Sequence, residues 1–68
     1  GDPEKLKYGR IALTDPAAAM EYFLNRLQAA SGDARTAAKD DLVFCFHVAG
    51  NASDITNSYR RKLAAIWF

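Results

Sequence analysis

A lone cysteine and a lone histidine are the features that most constrain what this chain can fold into. The chain has 68 residues, and Cys45 and His47 are the single residues of their types. A domain this small buries only about 60% of its unfolded surface, so a disulfide, a metal or a partner chain usually supplements the core. One cysteine excludes an internal disulfide, and one cysteine with one histidine is too few for a tetrahedral zinc site. We therefore expect no cofactor and no metal, and we expect a partner chain.

The composition predicts a single globular domain over residues 1–68. Half of the residues are apolar and a quarter are charged, which excludes a disordered chain. The net charge of +1 gives no overall attraction to nucleic acid or to acidic membranes. The longest apolar run, 42–46, is far shorter than the roughly 20 residues of a membrane span. We find no internal repeat, we expect no membrane association, and the single cysteine fits the cytoplasm.

Three patterns predict the first helix, over about 15–31. Asp15 can accept hydrogen bonds from the first free amides, and Pro16 suits the first helical position. Gly32 can take the left-handed conformation that ends a helix. The apolar residues of this segment recur at helical spacing. They are Met20, Phe23, Leu24 and Leu27, with Ala30 extending the stripe.

Residues 1–14 have no clear period, and Gly9 interrupts them. Leu6, Tyr8, Ile11 and Leu13 fit neither the helical nor the strand spacing. We interpret this segment as an extended arm or a short strand that follows a brief helical turn at 3–7. The prediction is therefore a short extended or partly helical N-terminal arm.

The second predicted helix covers about 33–49, with Asp33 as its cap. From Leu42 onward the segment is apolar on nearly all sides, which is typical of a buried central helix. A buried strand over 42–48 is the alternative, because aromatic and β-branched residues favour strands. The alanine-rich residues before it and the total length favour the helix. One helical face contains Ala34, Ala37, Ala38, Leu42, Cys45, Phe46 and Ala49.

The third predicted helix covers about 53–67, after the turn at Gly50 and Asn51. Ser53 or Asn51 can cap it, and Asp54 suits the positive end of its dipole. Its apolar residues Ile55, Tyr59, Leu63 and Ile66 follow at near-helical spacing, with Trp67 beside them. Three helices around one core make this an all-α domain.

The residues that could support catalysis do not converge. Cys45 and His47 are two positions apart, so they do not face each other on a helix. The apolar neighbours of Cys45 also oppose formation of a thiolate. Asp40 and Asp41 lack a third group that would bring them onto one substrate, so we interpret them as a solvated face. The glycines are scattered and form no phosphate-binding loop. We predict no catalytic site and no enzyme.

Residues 48–62 are similar in outline to a helix-turn-helix. An apolar helix ends, a short polar turn follows, and a capped helix carries Asn57, Ser58, Arg60 and Arg61 on its outer side. In a helix-turn-helix the second helix enters the major groove, where arginine and asparagine suit base edges and serine suits phosphate. The near-neutral total charge opposes this reading. DNA binding through the last helix is therefore the alternative function.

Apolar residues off the main face indicate an interaction surface. Phe44 and Val48 lie off the stripe of the second helix, and the chain ends on Trp67 and Phe68. Two neighbouring helices cannot cover a central helix on every side, and an exposed apolar cluster is typical of interfaces. Alternatively, Trp67 and Phe68 close the core of the monomer itself. We predict a non-catalytic helical interaction module that acts through protein–protein contacts and self-associates as a two-fold homodimer, with these four residues at the interface.

Overall fold

The computed structural model describes residues 7–8 and 10–67. Within those ranges the chain forms three long helices, α1 (Pro16–Ala29), α2 (Gly32–Ala49) and α3 (Asp54–Trp67), and no strand. The predicted all-α fold class is confirmed. The alternative of a strand over 42–48 is wrong, because this segment continues α2 and its buried residues lie on one helical side.

The start of α1 follows from its first residues, but its end differs from the prediction. Asp15 Oδ1 accepts a hydrogen bond from the Ala18 amide at 3.2 Å, and Pro16 occupies the first turn. The helix stops at Ala29 because Ala30 is extended, with φ −98° and ψ 164°. Gly32 does adopt a positive φ of 60°, but it leads into α2 instead of ending α1. Asp33 consequently lies in the first turn of α2 and is not its cap.

A tight polar turn joins α2 to α3. Gly50 has φ 101°, a conformation that favours glycine, and its amide bonds to the His47 carbonyl. Of the two predicted caps for α3, Ser53 takes the role. Its Oγ accepts from the Thr56 amide at 3.4 Å and donates to the Gly50 carbonyl at 2.9 Å.

The described part of the N-terminal arm is helical and then turns. Lys7, Tyr8, Arg10 and Ile11 are helical, and residues 12–14 form a turn into α1. Ala12 is buried in the core, and the Tyr8 ring stacks on Tyr22 with centroids 4.1 Å apart. Of the predicted helical turn at 3–7, the structure describes Lys7, which is helical. The extended arm or strand predicted after it is wrong for Tyr8, Arg10 and Ile11, which are helical as well. Residues 3–6 of the predicted first turn lie outside the described residues.

The core lies mainly between α1 and α2, which pack as a helical hairpin across a two-residue connection. Helix α3 packs on both but buries only Thr56 and Leu63. The Cα atoms span 29 × 28 × 14 Å, so the molecule is about two helices deep at usual interaxial distances of about 8–10 Å. Each helix therefore keeps one side open to solvent. The buried hydrophobic residues are Ala12, Ala19, Met20, Phe23, Leu24, Leu27, Ala38, Leu42, Cys45, Phe46 and Leu63.

Candidate interaction surface

The open side of α2 is a continuous stripe of exposed residues, which we call the α2 stripe. Its members alternate at spacings of four and three, which places them on one helical face. Asp40 is two positions from buried Leu42, about 200° around the helix, so the stripe lies opposite the core. Within the described residues, only Phe44 at 57% and Leu13 at 76% are exposed large hydrophobics. The α2 stripe consists of Asp33, Ala37, Asp40, Phe44 and His47.

The four residues predicted at an interface divide between different surroundings. Phe44 lies on the open side of α2, in the α2 stripe. Val48 and Trp67 are half-buried and pack against the core. Phe68 lies outside the described residues. Of the predicted set, Phe44 therefore has the exposure that a contact with another chain requires.

Trp67 is fixed to the first turns of α2 by two cations. The Arg35 guanidinium lies 5.2 Å and the Lys39 ammonium 5.6 Å from the centre of the indole ring. Arg35 Nη2 also donates to the Ile66 carbonyl at 3.1 Å, at the end of α3. Cation–π contacts of this kind stabilise by roughly 0.5–1 kcal/mol at exposed sites. This geometry fits the alternative in which Trp67 closes the monomer.

Asn51 links the end of α2 to the middle of α3. Arg60 donates from Nη1 to the Asn51 carbonyl at 2.8 Å and from Nη2 to Asn51 Oδ1 at 3.0 Å. This fixes the amide orientation, so Asn51 Nδ2 donates to His47 Nδ1 at 3.1 Å. The Arg60 guanidinium also lies 5.6 Å from the Phe46 ring centre. Arg60 therefore holds the α2–α3 turn together.

The outer side of α3 is a second exposed stripe, which we call the α3 stripe. Arg61 is two positions from buried Leu63, so this stripe also lies opposite the core. Arg61 has no hydrogen bond or ion pair with any residue that the structure describes. The α3 stripe consists of Asp54, Asn57, Arg61 and Ala64.

This arrangement does not gather the residues of the DNA-binding alternative into a basic face. Arg60 is bonded to the turn, Ser58 is half-buried, and Asn57 and Arg61 are exposed. The stripe that carries Arg61 also carries Asp54, so its charges cancel. A nucleic-acid surface is expected to cluster positive charge. Nothing in the described residues favours DNA binding.

A polar bond joins α3 to α1. The Tyr59 hydroxyl donates to Glu21 Oε2 at 2.8 Å, and the Lys62 ammonium lies 4.3 Å from the Tyr59 ring centre. Burial raises the pKa of Tyr59, and the hydrogen bond to Glu21 and its charge raise that pKa further. The sequence pattern does not reveal this bond, because periodicity alone does not report a partner 38 positions away.

The candidate catalytic residues lie in separate environments. Cys45 is fully buried, and burial raises the pKa of its thiol to about 11, with a further contribution from the charge of Asp41. His47 lies in the exposed α2 stripe and is bonded to Asn51. Within the described ranges, no three His, Cys, Asp or Glu side chains are grouped as metal ligands. No helix among the described residues is long and apolar enough to cross a membrane.

Comparison with protein families matches residues 8–68 to the family described as tetratricopeptide repeat. Neither the comparison with curated proteins nor that with solved structures gives a match.

Residues on the inner sides of α1 and α3 recur at a spacing of 36 positions, although their identities mostly differ. A tetratricopeptide unit has about 34 residues, so this spacing is close to one repeat. The recurring pairs are Met20 with Thr56, Phe23 with Tyr59, and Leu27 with Leu63.

Proposed function

The chain belongs to the tetratricopeptide repeat family, and we propose that it works as a non-catalytic helical module acting through protein–protein contacts. A unit of such a repeat is a helix pair that cannot bury its hydrophobic face alone and therefore stacks on neighbours. Here α1 and α2 form one such pair, and α3 corresponds in register to the first helix of a second pair. Surfaces that receive another helix are thus expected on this molecule.

The chemistry of the described residues supports the non-catalytic part of this proposal. The only cysteine thiol is shielded from solvent and has a raised pKa, so little thiolate forms near neutral pH. Asp40 is exposed and lies 3.6 Å from the Lys39 ammonium, as in an ordinary surface ion pair. Cys45 and His47 share no hydrogen bond, so they do not form a nucleophile–base pair.

Exposure of Phe44 supports self-association as the mode of contact. Its side chain is 57% exposed in the middle of α2, between Asp40 and His47. Full burial of a phenylalanine side chain stabilises by about 1.5–3 kcal/mol, so covering the exposed part contributes on the order of 1 kcal/mol. A second copy of the chain is always present as a possible partner. The smallest assembly of two copies is a homodimer.

Sedimentation equilibrium from micromolar to millimolar concentration tests this proposal. The weight-average mass should rise from the chain mass of 7.5 kDa to twice that value or more. Phe44→Glu should remain at the chain mass, because it places a charge in the contact. Gln28→Glu is the matched control, since it adds the same charge to an exposed position on α1. Wild-type protein that stays at 7.5 kDa throughout would contradict self-association.

A further inference from the structure

The two exposed stripes differ in charge. The α2 stripe contains Asp33 and Asp40 and no lysine or arginine, whereas the α3 stripe contains Arg61 beside one acidic residue, Asp54. We infer that the α2 stripe of one copy packs head to tail on the α3 stripe of a second copy. This inference rests on the proposed self-association and specifies its surfaces.

The direction of the stripes favours a head-to-tail contact over a two-fold one. Each stripe lies opposite the buried side of its own helix, so the two stripes face away from the shared core in different directions. One flat partner surface cannot cover both. A two-fold contact centred on Phe44 would set one α2 stripe against another, with Asp40 beside His47 of the second copy and no lysine or arginine on either stripe. The α3 stripe offers the missing positive group.

One antiparallel register gives both charged residues of the α3 stripe a partner on the α2 stripe and leaves Asp33 without one. The spacings of four and three match when the helices run in opposite directions, with Asp40 opposite Arg61. Asp54, the acidic residue of the α3 stripe, then lies beside the imidazole of His47 in the α2 stripe. The full register pairs Ala37 with Ala64, Asp40 with Arg61, Phe44 with Asn57 and His47 with Asp54.

The parallel alternative fails on charge. If Asp40 remains opposite Arg61 and the helices run in the same direction, Asp33 comes to lie opposite Asp54. Two carboxylates then face each other, and like-charge juxtaposition disfavours that alignment. Complementary charge therefore selects the antiparallel direction.

Side-chain size supports the same register. Ala37 and Ala64 are small and exposed, so the two helices can approach closely at that point. Phe44 meets Asn57 and lies over the apolar stem of Arg61, one turn away. Asp40 has 68% of its side chain exposed, and its contact with Lys39 is on the same helix, so it remains accessible to a second chain.

Mixing two disabled variants tests the head-to-tail arrangement. Phe44→Glu disables the α2 stripe and leaves the α3 stripe intact, whereas Ala64→Glu does the reverse. Each variant alone should sediment at the chain mass. An equimolar mixture should form a 1:1 complex of twice the chain mass and nothing larger, because one intact stripe of each kind is present. Circular dichroism checks that both variants fold, and Arg61→Glu serves as a second α3 variant.

The outcomes separate this inference from the proposed function. If the mixture stays monomeric while wild-type protein associates, the contact is not α2 on α3, although self-association stands. If Ala64→Glu and Arg61→Glu associate as strongly as wild type and the Gln28→Glu control, the α3 stripe is not used. Wild-type protein that never associates overturns both proposals.

Charge exchange tests the register. Asp40→Arg and Arg61→Asp should each weaken self-association on the order of tenfold, since each sets like charges against one another. The two substitutions in one chain should restore the wild-type affinity, because the pair is then reversed. A double variant as weak as the two losses combined would show that these residues do not meet.

Discussion

The α1–α2 hairpin and α3 are stabilised by different interactions. The hairpin buries Phe23, Leu27, Leu42 and Phe46 in a continuous apolar interface. Helix α3 contributes one buried leucine, while Ile55, Tyr59, Ile66 and Trp67 pack against the core only partly buried. The rest of its links to the hairpin are polar or cationic. They are the Tyr59–Glu21 bond, the Arg60–Asn51 pair and the Arg35 bond to the Ile66 carbonyl.

This difference makes α3 the helix expected to open first. Burying a large apolar side chain stabilises by about 1.5–3 kcal/mol, whereas a typical hydrogen bond contributes a net 0.5–1.5 kcal/mol. Local unfolding begins where few apolar contacts are buried. The helix with the weakest attachment is thus also the helix whose outer stripe we place at the contact between copies. Association should therefore stabilise α3 more than it stabilises the hairpin.

The largest expected effect belongs to Phe46, which lies 2% exposed where the hairpin meets Arg60 of α3. Phe46→Ala should lower the free energy of unfolding by about 3–5 kcal/mol, because it leaves a cavity between both regions. That loss is comparable to the whole stability of a small domain. Urea unfolding followed by circular dichroism measures it. A variant that unfolds at the wild-type midpoint would refute this placement of the core.

Leu27 and Leu63 form a matched pair for comparing the two regions. They occupy equivalent positions in α1 and α3, but Leu27 is 0% and Leu63 7% exposed. Leucine-to-alanine substitutions in cores lower stability by about 2–5 kcal/mol, and the loss depends on how far the site can collapse. Leu27→Ala should fall in the upper half of this range and Leu63→Ala in the lower half. Equal losses of unfolding free energy in urea titrations would contradict the proposed difference between the hairpin and α3.

High pH should weaken the hairpin through Cys45. Its pKa is raised from 9.0 to about 11 in the folded state, so the folded state favours the protonated thiol. The resulting stability is fully present below pH 9 and is lost as the pH rises to about 11. Unfolding free energies across this interval should fall for wild type and fall less steeply for Cys45→Ala. If the unfolding free energies of the two proteins fall equally steeply with pH, the Cys45 thiol does not titrate in this way.

A smaller effect is expected at the polar attachment of α3. Tyr59→Phe removes only the hydroxyl that donates to Glu21, so it should lower stability by about 1 kcal/mol. Glu21→Gln is the companion variant, because it keeps an acceptor oxygen and removes the charge. Thermal unfolding at neutral pH compares the two. A loss above 3 kcal/mol in Tyr59→Phe would mean that α3 depends on this bond far more than its exposure suggests.

Local sequence patterns predicted the helices because helix formation depends on neighbours within one or two turns. Asp15, Pro16 and the spacing from Met20 to Leu27 were sufficient for α1, and the apolar segment after Leu42 was correctly a helix. The end of α1 was predicted too late because Gly32 is followed by another helix, and nothing local distinguishes a glycine that ends one helix from a glycine that starts the next.

The polar links of α3 were beyond these patterns. Arg60 was placed on the nucleic-acid surface of the alternative, DNA-binding reading, although it bonds to Asn51 nine positions earlier. Arg35 and Trp67 meet only because α3 returns to the start of α2. Such contacts depend on the angle between helices, which the spacing of apolar residues does not specify. The repeat was missed for a related reason, since only the pattern of inward positions recurs and residue identities mostly do not.

The central claim is that this module acts through contacts between copies and that α3 takes part in them. Native-state hydrogen exchange, measured at a low and a high protein concentration, tests this claim most directly. At low concentration the α3 amides should exchange faster than those of α1 and α2, because α3 opens at a lower free energy. At high concentration the α3 amides should slow the most, since association stabilises the closed state by mass action. Exchange from α3 that is as slow as from the hairpin and does not change with concentration would contradict the account.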